Sequence, residues 1–517
     1  SILVAVPKPG LGKKLEARER KILKAVKQKL LANEIDNLIA ETQKLQELQL
    51  TPDSPEALAA LPSLEIQDVP KEIEKYPLEI KNQGDSKILF HDLFTNDIAY
   101  IQIGFNTHSV PDEMIPYISL LGTLVLGMGT GRHSYTEISK LIGMHTGGIR
   151  TSHFSSATVQ DRHQVLSYIF FSGKALLEKV DSLFDIFDEL LGDYSFDDHK
   201  RLVEIIRSAK SDLEDSIVPH GNHYVLSRLQ SYQSRLGQFD ELTDGITYYR
   251  FLEQLLERVE KDPGGVAGQF RQVAERVFTR KNAFFNITST QKDYRKIEKR
   301  IGGTCGILSD KDWNVEEWNL KAVPLNEGFL TASNVQHVGK GANLYDLGFN
   351  YSGQFEVLKA LLRTGFLWDR VRVHGGAYGS GNSFDFFTGD YSLLSYRDPN
   401  LTETLEIYDE IADFLNHLEL PTEELTKIII GCVGKMDPPL TPDLKGKASM
   451  IDHLTGRTHE MKQKIREELL STRLGDLKDY APLFKKIRDG GHVCALGNED
   501  KLKKSKSVFS QLVKVFN

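Results

Sequence analysis

An internal duplication constrains the fold of this chain more than any other feature of its sequence. Residues 183–206 (LFDIFDELLGDYSFDDHKRLVEII) and 407–430 (IYDEIADFLNHLELPTEELTKIII) both read as a helix, a short acidic link and a second helix. A Gly-Gly pair, ending at Gly148 in one half and at Gly376 in the other, precedes a predicted strand. Such self-similarity indicates one supersecondary unit used twice. We therefore predict an α+β fold of two homologous modules, each an antiparallel sheet with helices packed on one face.

The pattern divides the chain into three parts. Residues 1–85 are predicted to contain the end of a preceding module and a helical hairpin linker. Residues 86–310 and 311–517 would each form one α+β module. Residues 2–6 (ILVAV) read as a strand with nothing before it, so we expect the chain to be a fragment of a longer protein. Five prolines between residues 51 and 85 predict an extended connector.

The second module carries an arginine and a tyrosine on either side of a flexible turn. An amphipathic helix from about Phe355 to Phe366 leads into Arg372, two glycines follow, and Tyr378 begins a β-hairpin. A fixed cation beside an O–H donor can hold a carbonyl oxygen as it becomes an oxyanion. The alternative is an arginine paired with carboxylates and a tyrosine packed in a core. The residues alone leave both interpretations open.

Four long stretches of the sequence resemble the presequence protease family, large zinc peptidases of the inverted-motif class that are related to pitrilysin and insulin-degrading enzyme. They are LWDRVRVHGGAYGSGNSFDFFTGDYSLLSYRDPN (367–400), TPDSPEALAALPSL (51–64), ILFHDLFTNDIAY (88–100) and YRFLEQLL (249–256). The similarity runs along essentially the whole chain. It implies that this chain is the C-terminal half of such a peptidase. The two modules would then be the third and fourth of four, the third degenerate and the fourth carrying the Arg/Tyr pair.

The resemblance also implies an activity and partners. Arg372 and Tyr378 would bind the scissile carbonyl of a peptide, while zinc would be bound by the N-terminal half. That N-terminal catalytic half, on the same polypeptide or a separate chain, and unfolded peptides such as cleaved targeting presequences are the expected partners. The expected location is the mitochondrial matrix or plastid stroma of a eukaryote, or the cytoplasm of a bacterium. The alternative, from another class, is a non-catalytic peptidase-like binding or assembly subunit of a larger complex.

The sequence contains no zinc motif. None of the 15 histidines stands in H-x-x-E-H or H-E-x-x-H. When the chain is aligned with the family's zinc motif at its Ile-Pro pair (115–116), Tyr117 and Leu121 fall at the two histidine positions and Leu120 at the glutamate position. Tyrosine and leucine do not serve as zinc ligands or as proton acceptors near neutral pH. His220 and His223 are close in sequence but lack an acidic third ligand, so a solvated helix start is favoured. We predict that this chain has no zinc centre and is inactive alone.

Composition limits the remaining function classes. The net charge of −8 argues against a nucleic-acid partner and allows attraction of basic peptides. No apolar run reaches the length of about 18 residues that a membrane span needs, so no membrane partner is expected. The three cysteines have an odd count and no CxxC spacing, which is typical of reduced intracellular thiols. We expect a soluble intracellular protein.

Overall fold

The computed structural model describes residues 10–51, 53–54, 56–57, 60, 64–84 and 86–516. The predicted strand at residues 2–6 and three prolines of the predicted connector lie outside the described residues. The chain divides into two compact units, Ser1–Leu64 and Glu65–Asn517. No helix in the described part of the chain combines the length and the apolarity of a membrane span.

In its described residues, the first unit contains the long helices α1 (Leu11–Lys29) and α2 (Ala32–Leu50). The Glu34 side chain caps the start of α2 by accepting a hydrogen bond from the Leu31 backbone N–H at 2.7 Å. Eight large apolar side chains of these helices are exposed: Leu15, Ile22, Leu23, Val26, Leu38, Ile39, Leu45 and Leu48. The role of residues 1–85 as a linker, like the predicted module boundaries at 86–310 and 311–517, remains a prediction.

The second unit contains twelve strands in its described residues. They are β1 (Glu79–Gln83), β2 (Ser86–Asp92), β3 (Ile98–Asn106), β4 (Ile149–Ser156), β5 (Leu166–Leu176), β6 (Ala283–Ser289), β7 (Glu327–Thr331), β8 (His337–Asn343), β9 (Gly379–Phe384), β10 (Asp390–Tyr396), β11 (His492–Asn498) and β12 (Gln511–Lys514). Strand β1 lies within the predicted connector and forms a hairpin with β2.

Helices connect these strands. Those of the first half are α3 (Ile118–Gly127), α4 (Tyr135–His145), α5 (Val180–Gly192), α6 (His199–Ile217), α7 (Gly221–Gln233), α8 (Arg235–Thr243), α9 (Ile246–Lys261), α10 (Pro263–Val277) and α11 (Gln291–Ile307). Those of the second half are α12 (Gln354–Thr364), α13 (Thr402–Asp409), α14 (Ile411–Asn416), α15 (Thr422–Met436), α16 (Pro442–Thr455), α17 (His459–Leu470), α18 (Leu474–Lys478), α19 (Ala481–Gly490) and α20 (Glu499–Lys504). Short 3₁₀ turns occur at Ile66–Asp68, Asp112–Tyr117, Leu177–Lys179 and Lys506–Val508, and a π-helix at Trp368–His374.

The two sheets repeat one topology. Their strand orders are β1-β2-β6-β3-β5-β4 and β12-β7-β11-β8-β10-β9. Strands β2, β6, β3, β5 and β4 therefore correspond to β7, β11, β8, β10 and β9. Both Gly148 and Gly376, which precede the corresponding strands β4 and β9, have a positive φ, 109° and 79°. The predicted two-module α+β fold is confirmed.

The sheets are mixed, whereas antiparallel sheets were predicted. Strand β2 pairs with β6 in parallel, and β7 pairs in the same way with β11. The other pairs within the repeated part are antiparallel. The parallel pairs arise because β6 and β11 each return to their sheet after a long helical excursion, which leaves the strand direction free.

Each sheet receives a helix from the other half on the face opposite its main core. Helix α7 of the first half packs on the second sheet, where Val225 and Leu229 share a cluster with Phe329 and Leu496. Helix α16 of the second half packs Met450 against Leu89, Phe170 and Phe284 of the first sheet. This exchange adds to the predicted packing of helices on one face and explains why the two modules form one compact unit.

Candidate active site

The site begins where helix α12 ends. As predicted, α12 turns Phe355, Leu358 and Leu362 into the core of the second sheet. The chain then enters the π-helix Trp368–His374, which the sequence did not predict. Leu367 and Val371 are fully buried and fix this wider turn against the core. Single π-turns are rare and occur frequently at functional sites.

Arg372 lies in the last turn of this π-helix. Its guanidinium carbon is 3.7 Å from the centroid of the Trp368 ring, close enough for a cation–π interaction. The turn closes with the Gly375 N–H donating to the Arg370 carbonyl at 3.0 Å. The left-handed backbone of Gly376 then redirects the chain. The two glycines thus perform the sharp turn that the sequence predicted.

Tyr378 stands immediately before strand β9. Its backbone N–H donates to the Arg397 carbonyl at 3.3 Å, which continues the pairing of β9 with β10. Its ring meets the ring of Tyr396 edge-on, with centroids 5.6 Å apart and an interplanar angle of 77°. The Tyr378 side chain is 66% exposed. The ring is therefore held against Tyr396, while most of the residue is open to solvent.

Arg372 and Tyr378 line one depression of the surface together with Trp368 and Arg397; Val373, Gly376 and Ala377 complete its wall. The structure thus brings the two predicted residues together.

No carboxylate is among the residues that line this depression. Two acidic side chains that contact the π-helix are engaged elsewhere: Asp369 lies 3.4 Å from His374, and Glu410 pairs with Arg370 at 2.7 Å. Within the described residues, Arg372 has no salt bridge or side-chain hydrogen bond. An ion-paired arginine and a core tyrosine, the features of the alternative interpretation, are therefore not what the structure shows.

The sequence interpretation missed the corner that supports the site. Asn400 donates from Nδ2 to the Gly375 carbonyl at 2.6 Å and so ties this corner to the turn. Asp398 is buried and accepts a hydrogen bond from the Thr404 hydroxyl at 2.7 Å, and burial raises the pKa of its carboxyl. The Asp-Pro-Asn sequence after a strand was the available signal, because it favours a turn. Nothing in the sequence indicated that Arg397 faces the depression.

The positions aligned with the zinc motif do not fit a metal. Tyr117, Leu120 and Leu121 are buried in the first core. The Tyr117 hydroxyl donates to Gln269 Oε1 at 2.5 Å and accepts from Arg258 Nη2 at 2.9 Å, and burial raises the pKa of its phenol. A leucine core offers no ligand, and a doubly hydrogen-bonded neutral phenol is a poor one.

The histidine pair does not supply a metal site either. His223 Nε2 lies 3.0 Å from Asp244 Oδ2, and this hydrogen bond raises the pKa of the His223 imidazole. Across the residues that the structure describes, no group of three or more His, Cys, Asp or Glu is placed to hold a metal ion.

Two known protein-family domains match this sequence. Residues 6–255 match the associated domain of the M16 peptidases, subfamily C, and residues 326–497 match the PreP C-terminal domain. The chain belongs to the M16 peptidases, as a C-terminal half. Protein HypA of Clostridium perfringens is 33% identical to this M16 half over 515 residues, covering 100% of it and 53% of HypA. Presequence protease 1, chloroplastic/mitochondrial, of Arabidopsis thaliana is 34% identical over 495 residues, covering 96% and 46%.

A solved structure supports the fold assignment of the M16 half. The peptidase M16 inactive domain from Pseudomonas fluorescens superposes with a TM-score of 0.59 at 11% identity, covering 82% of this chain and 98% of that one. At this identity the match concerns the fold alone. The chain spans about half the length of the curated relatives it matches.

Proposed function

We propose that this chain is the C-terminal half of a zinc-dependent endopeptidase that degrades unfolded peptides, such as cleaved targeting presequences, inside a closed chamber. In this proposal the chain supplies the clamp for the substrate carbonyl, and the N-terminal half binds the zinc. The observation that carries the proposal is that Arg372 and Tyr378 line one depression that contains no carboxylate.

The two side chains suit a carbonyl oxygen that gains negative charge. The Arg372 guanidinium offers N–H donors in a fixed plane, and its stacking on Trp368 restricts where that plane lies. The Tyr378 hydroxyl offers one further donor. Donors held in place before the reaction stabilise an oxyanion more strongly than water does, because they need no reorganisation as the charge develops.

The metal is assigned to the other half because no group of side chains in the described part of this chain fits a zinc site. The isolated chain is accordingly proposed to be inactive, and no step of its chemistry passes through a metal. Its contribution is to bind and orient the carbonyl group. Zinc and the N-terminal half are therefore the cofactor and partner of the complete peptidase.

The proposed substrate class is based on the names of the relatives and on the net charge of the chain. Several relatives that match along most of this chain are presequence proteases by name. The net charge of −8 is compatible with attraction of basic peptides. A mitochondrial or plastid location, or the cytoplasm in a bacterium, follows as part of the same proposal.

Replacement of Arg372 in the complete polypeptide tests the proposal, with Arg370 as a matched control. Arg370 lies two positions earlier on the same π-helix and pairs with Glu410 outside the depression. We expect Arg372→Ala to lower kcat at least 100-fold, the cost typical of one lost oxyanion donor, with zinc content unchanged. Arg370→Ala should stay within about threefold of the parent protein, since exposed ion pairs contribute little.

The non-catalytic alternative gives a different result. A binding or assembly subunit would not need this cation for turnover. Equal activity of Arg372→Ala and Arg370→Ala, with both proteins folded and zinc bound, would rule out the clamp and leave the alternative.

A further inference from the structure

Arg397 is a second cation at the edge of the clamp. Its guanidinium carbon lies 5.2 Å from the ring centroid of Tyr396 and 6.0 Å from that of Tyr378. It lines the same depression as Arg372. Among the described residues, the Arg397 side chain forms neither a salt bridge nor a hydrogen bond. Both guanidiniums of the depression are thus held against aromatic rings and leave their N–H donors available.

The backbone of Arg397 is fixed in an unusual conformation. Its φ is +48°, a left-handed value that is uncommon for a residue with a branched or long side chain. The carbonyl of Arg397 accepts from Tyr378, and the next residue, Asp398, exchanges backbone hydrogen bonds with Gln336 at 2.7 and 2.8 Å. These contacts on both sides hold the residue in place. The direction in which the side chain leaves the corner is therefore set by the fold.

Two unpaired guanidiniums in one depression repel each other, and no carboxylate of the lining offsets that repulsion. An anion that binds there would remove it. A carboxylate suits the arrangement best, because its two oxygens match the N–H pair of a guanidinium. A peptide carbonyl carries only a partial charge. The N–H donors of Arg372 and the O–H donor of Tyr378 are therefore enough to bind it.

We propose that Arg397 forms a carboxylate subsite beside the clamp, and that it favours peptides with a carboxylate close to the bond being cleaved. The inference rests on the proposed function, because it places Arg372 and Tyr378 on the scissile carbonyl. The carboxylate has two possible sources, the side chain of Asp or Glu and the free C-terminus of a short peptide. Targeting presequences contain few acidic residues. The subsite would therefore bind presequence peptides by their C-terminal carboxylate, and it would bind other peptides by the side chain of Asp or Glu.

Paired peptides test this subsite in the complete polypeptide. The probes are a set of decapeptides of one sequence, blocked at both ends, in which one position at a time carries Glu or Gln. A second set has the same sequence with either a free or an amidated C-terminus. The readout is the ratio of kcat/KM for the acidic peptide to kcat/KM for its neutral partner. The proteins are the parent, Arg397→Gln, Arg397→Lys and the control Arg370→Gln.

We expect one position near the cleaved bond, or the free C-terminus, to give a ratio of about 10 or more in the parent, as for a hydrogen bond to a charged group. Arg397→Gln should reduce this ratio to about 1, while Arg397→Lys retains a preference and Arg370→Gln leaves it unchanged. The set that shows the effect identifies the source of the carboxylate. Equal losses for acidic and neutral peptides in Arg397→Gln, or no acidic preference in the parent, would overturn the subsite.

If the proposed carbonyl clamp is wrong, the same kinetic measurements give a different result. If Tyr378→Phe were silent while Arg397→Gln still abolished the acidic preference, the proposed carbonyl clamp would be wrong and the carboxylate subsite would stand. Circular dichroism and the melting temperature of each variant show whether a loss comes from unfolding. If Arg397→Gln does not fold, two other variants can be compared in its place. Arg397→Lys keeps the positive charge, and Arg397→Asn removes it with a residue that tolerates a positive φ.

Discussion

The Arg372 guanidinium carbon lies 3.7 Å from the centroid of the Trp368 ring, the shortest such distance that we find between a cation and a ring in the described residues. A four-residue spacing places both side chains on one side of the π-helix. Trp368 is 46% exposed, so the ring covers the arginine at the surface and not from within the core. The ring therefore limits the positions that the guanidinium can take.

Removal of that ring should weaken the clamp without unfolding the protein. In the complete polypeptide, Trp368→Leu is expected to lower kcat/KM by about 5- to 30-fold, the equivalent of a 1–2 kcal/mol cation–π contact. Trp368→Phe should recover most of this loss because it restores an aromatic face. The measurement is steady-state kinetics beside thermal melting. A Trp368→Leu protein with the parent's kcat/KM would show that the ring does not orient Arg372.

A buried charge cluster joins the first half to the second sheet. Arg228 of α7 pairs with Glu241 at 2.9 Å and with Glu327 of β7 at 2.5 Å, and all three side chains are at most 8% exposed. We expect Arg228→Ala to lower the free energy of unfolding by about 3–5 kcal/mol, because it leaves two carboxylates buried without a cation. Urea unfolding measures the change.

A surface pair provides the control for that change. Arg207 and Glu260 form an exposed ion pair with side chains 56% and 47% accessible. Arg207→Ala should cost less than about 1 kcal/mol. The triple variant Arg228→Met, Glu241→Gln and Glu327→Gln should recover much of the stability lost in Arg228→Ala. A loss in Arg228→Ala no larger than that in Arg207→Ala would contradict the account of the cluster.

Asp390, at the start of β10, should make stability depend on pH. The residue is buried, and this burial raises the pKa of its carboxyl to about 7, although the hydroxyl of Ser234 donates to it at 2.5 Å. The folded protein therefore binds a proton between about pH 4 and pH 7 that the unfolded chain has released. Stability falls as the pH rises through this range and is level above it.

Asp390→Asn tests this dependence. Because the variant has no carboxyl to ionise, its stability relative to the parent should increase from pH 4 to pH 7 and then stay constant. We expect a gain of roughly 4 kcal/mol at pH 8 compared with pH 4, the equivalent of about three pKa units. Asp310→Asn, whose aspartate is 76% exposed, is the control and should show a nearly constant difference. A constant difference for Asp390→Asn as well would contradict the argument.

Metal analysis tests the negative part of the site assignment. The purified chain, incubated with zinc and then dialysed, should retain far less than one zinc per chain and cleave no peptide, because buried Tyr117, Leu120 and Leu121 offer no ligand set. The complete polypeptide, treated in parallel, should retain its metal. One tightly held zinc per isolated chain, lost together with peptidase activity on chelation, would contradict the assignment.

The sequence predicted the parts of the fold that depend on repeated patterns. The duplication and the Gly-Gly pairs predicted two modules of one topology, and helical spacing from Phe355 onward predicted α12. Strand β1 (Glu79–Gln83) was not predicted, because it is mostly polar and its one aliphatic residue, Ile80, is 48% exposed. An exposed edge strand has no apolar alternation to reveal it. The connector is extended at these residues, as predicted, but its pairing with β2 was not predicted.

The site was only partly predictable for a related reason. Arg372 and Tyr378 are six positions apart, so a turn between them was enough to suggest their proximity. Arg397 reaches the same depression only through the pairing of β9 with β10, in which Gly379 lies opposite Tyr396. The π-helix was also missed, because its wider turn is fixed by tertiary burial of Leu367 and Val371 and not by local propensity.

The most direct test of the carbonyl clamp is the kcat of Tyr378→Phe in the complete polypeptide with zinc bound. The substitution keeps the ring and its contact with Tyr396 and deletes only the O–H donor. Tyr135→Phe is the control, since Tyr135 is also an exposed tyrosine, 37% accessible, with an arginine over its ring. We predict a kcat about 100- to 1,000-fold below the parent for Tyr378→Phe and a parental kcat for Tyr135→Phe. A parental kcat in both proteins would contradict the central claim.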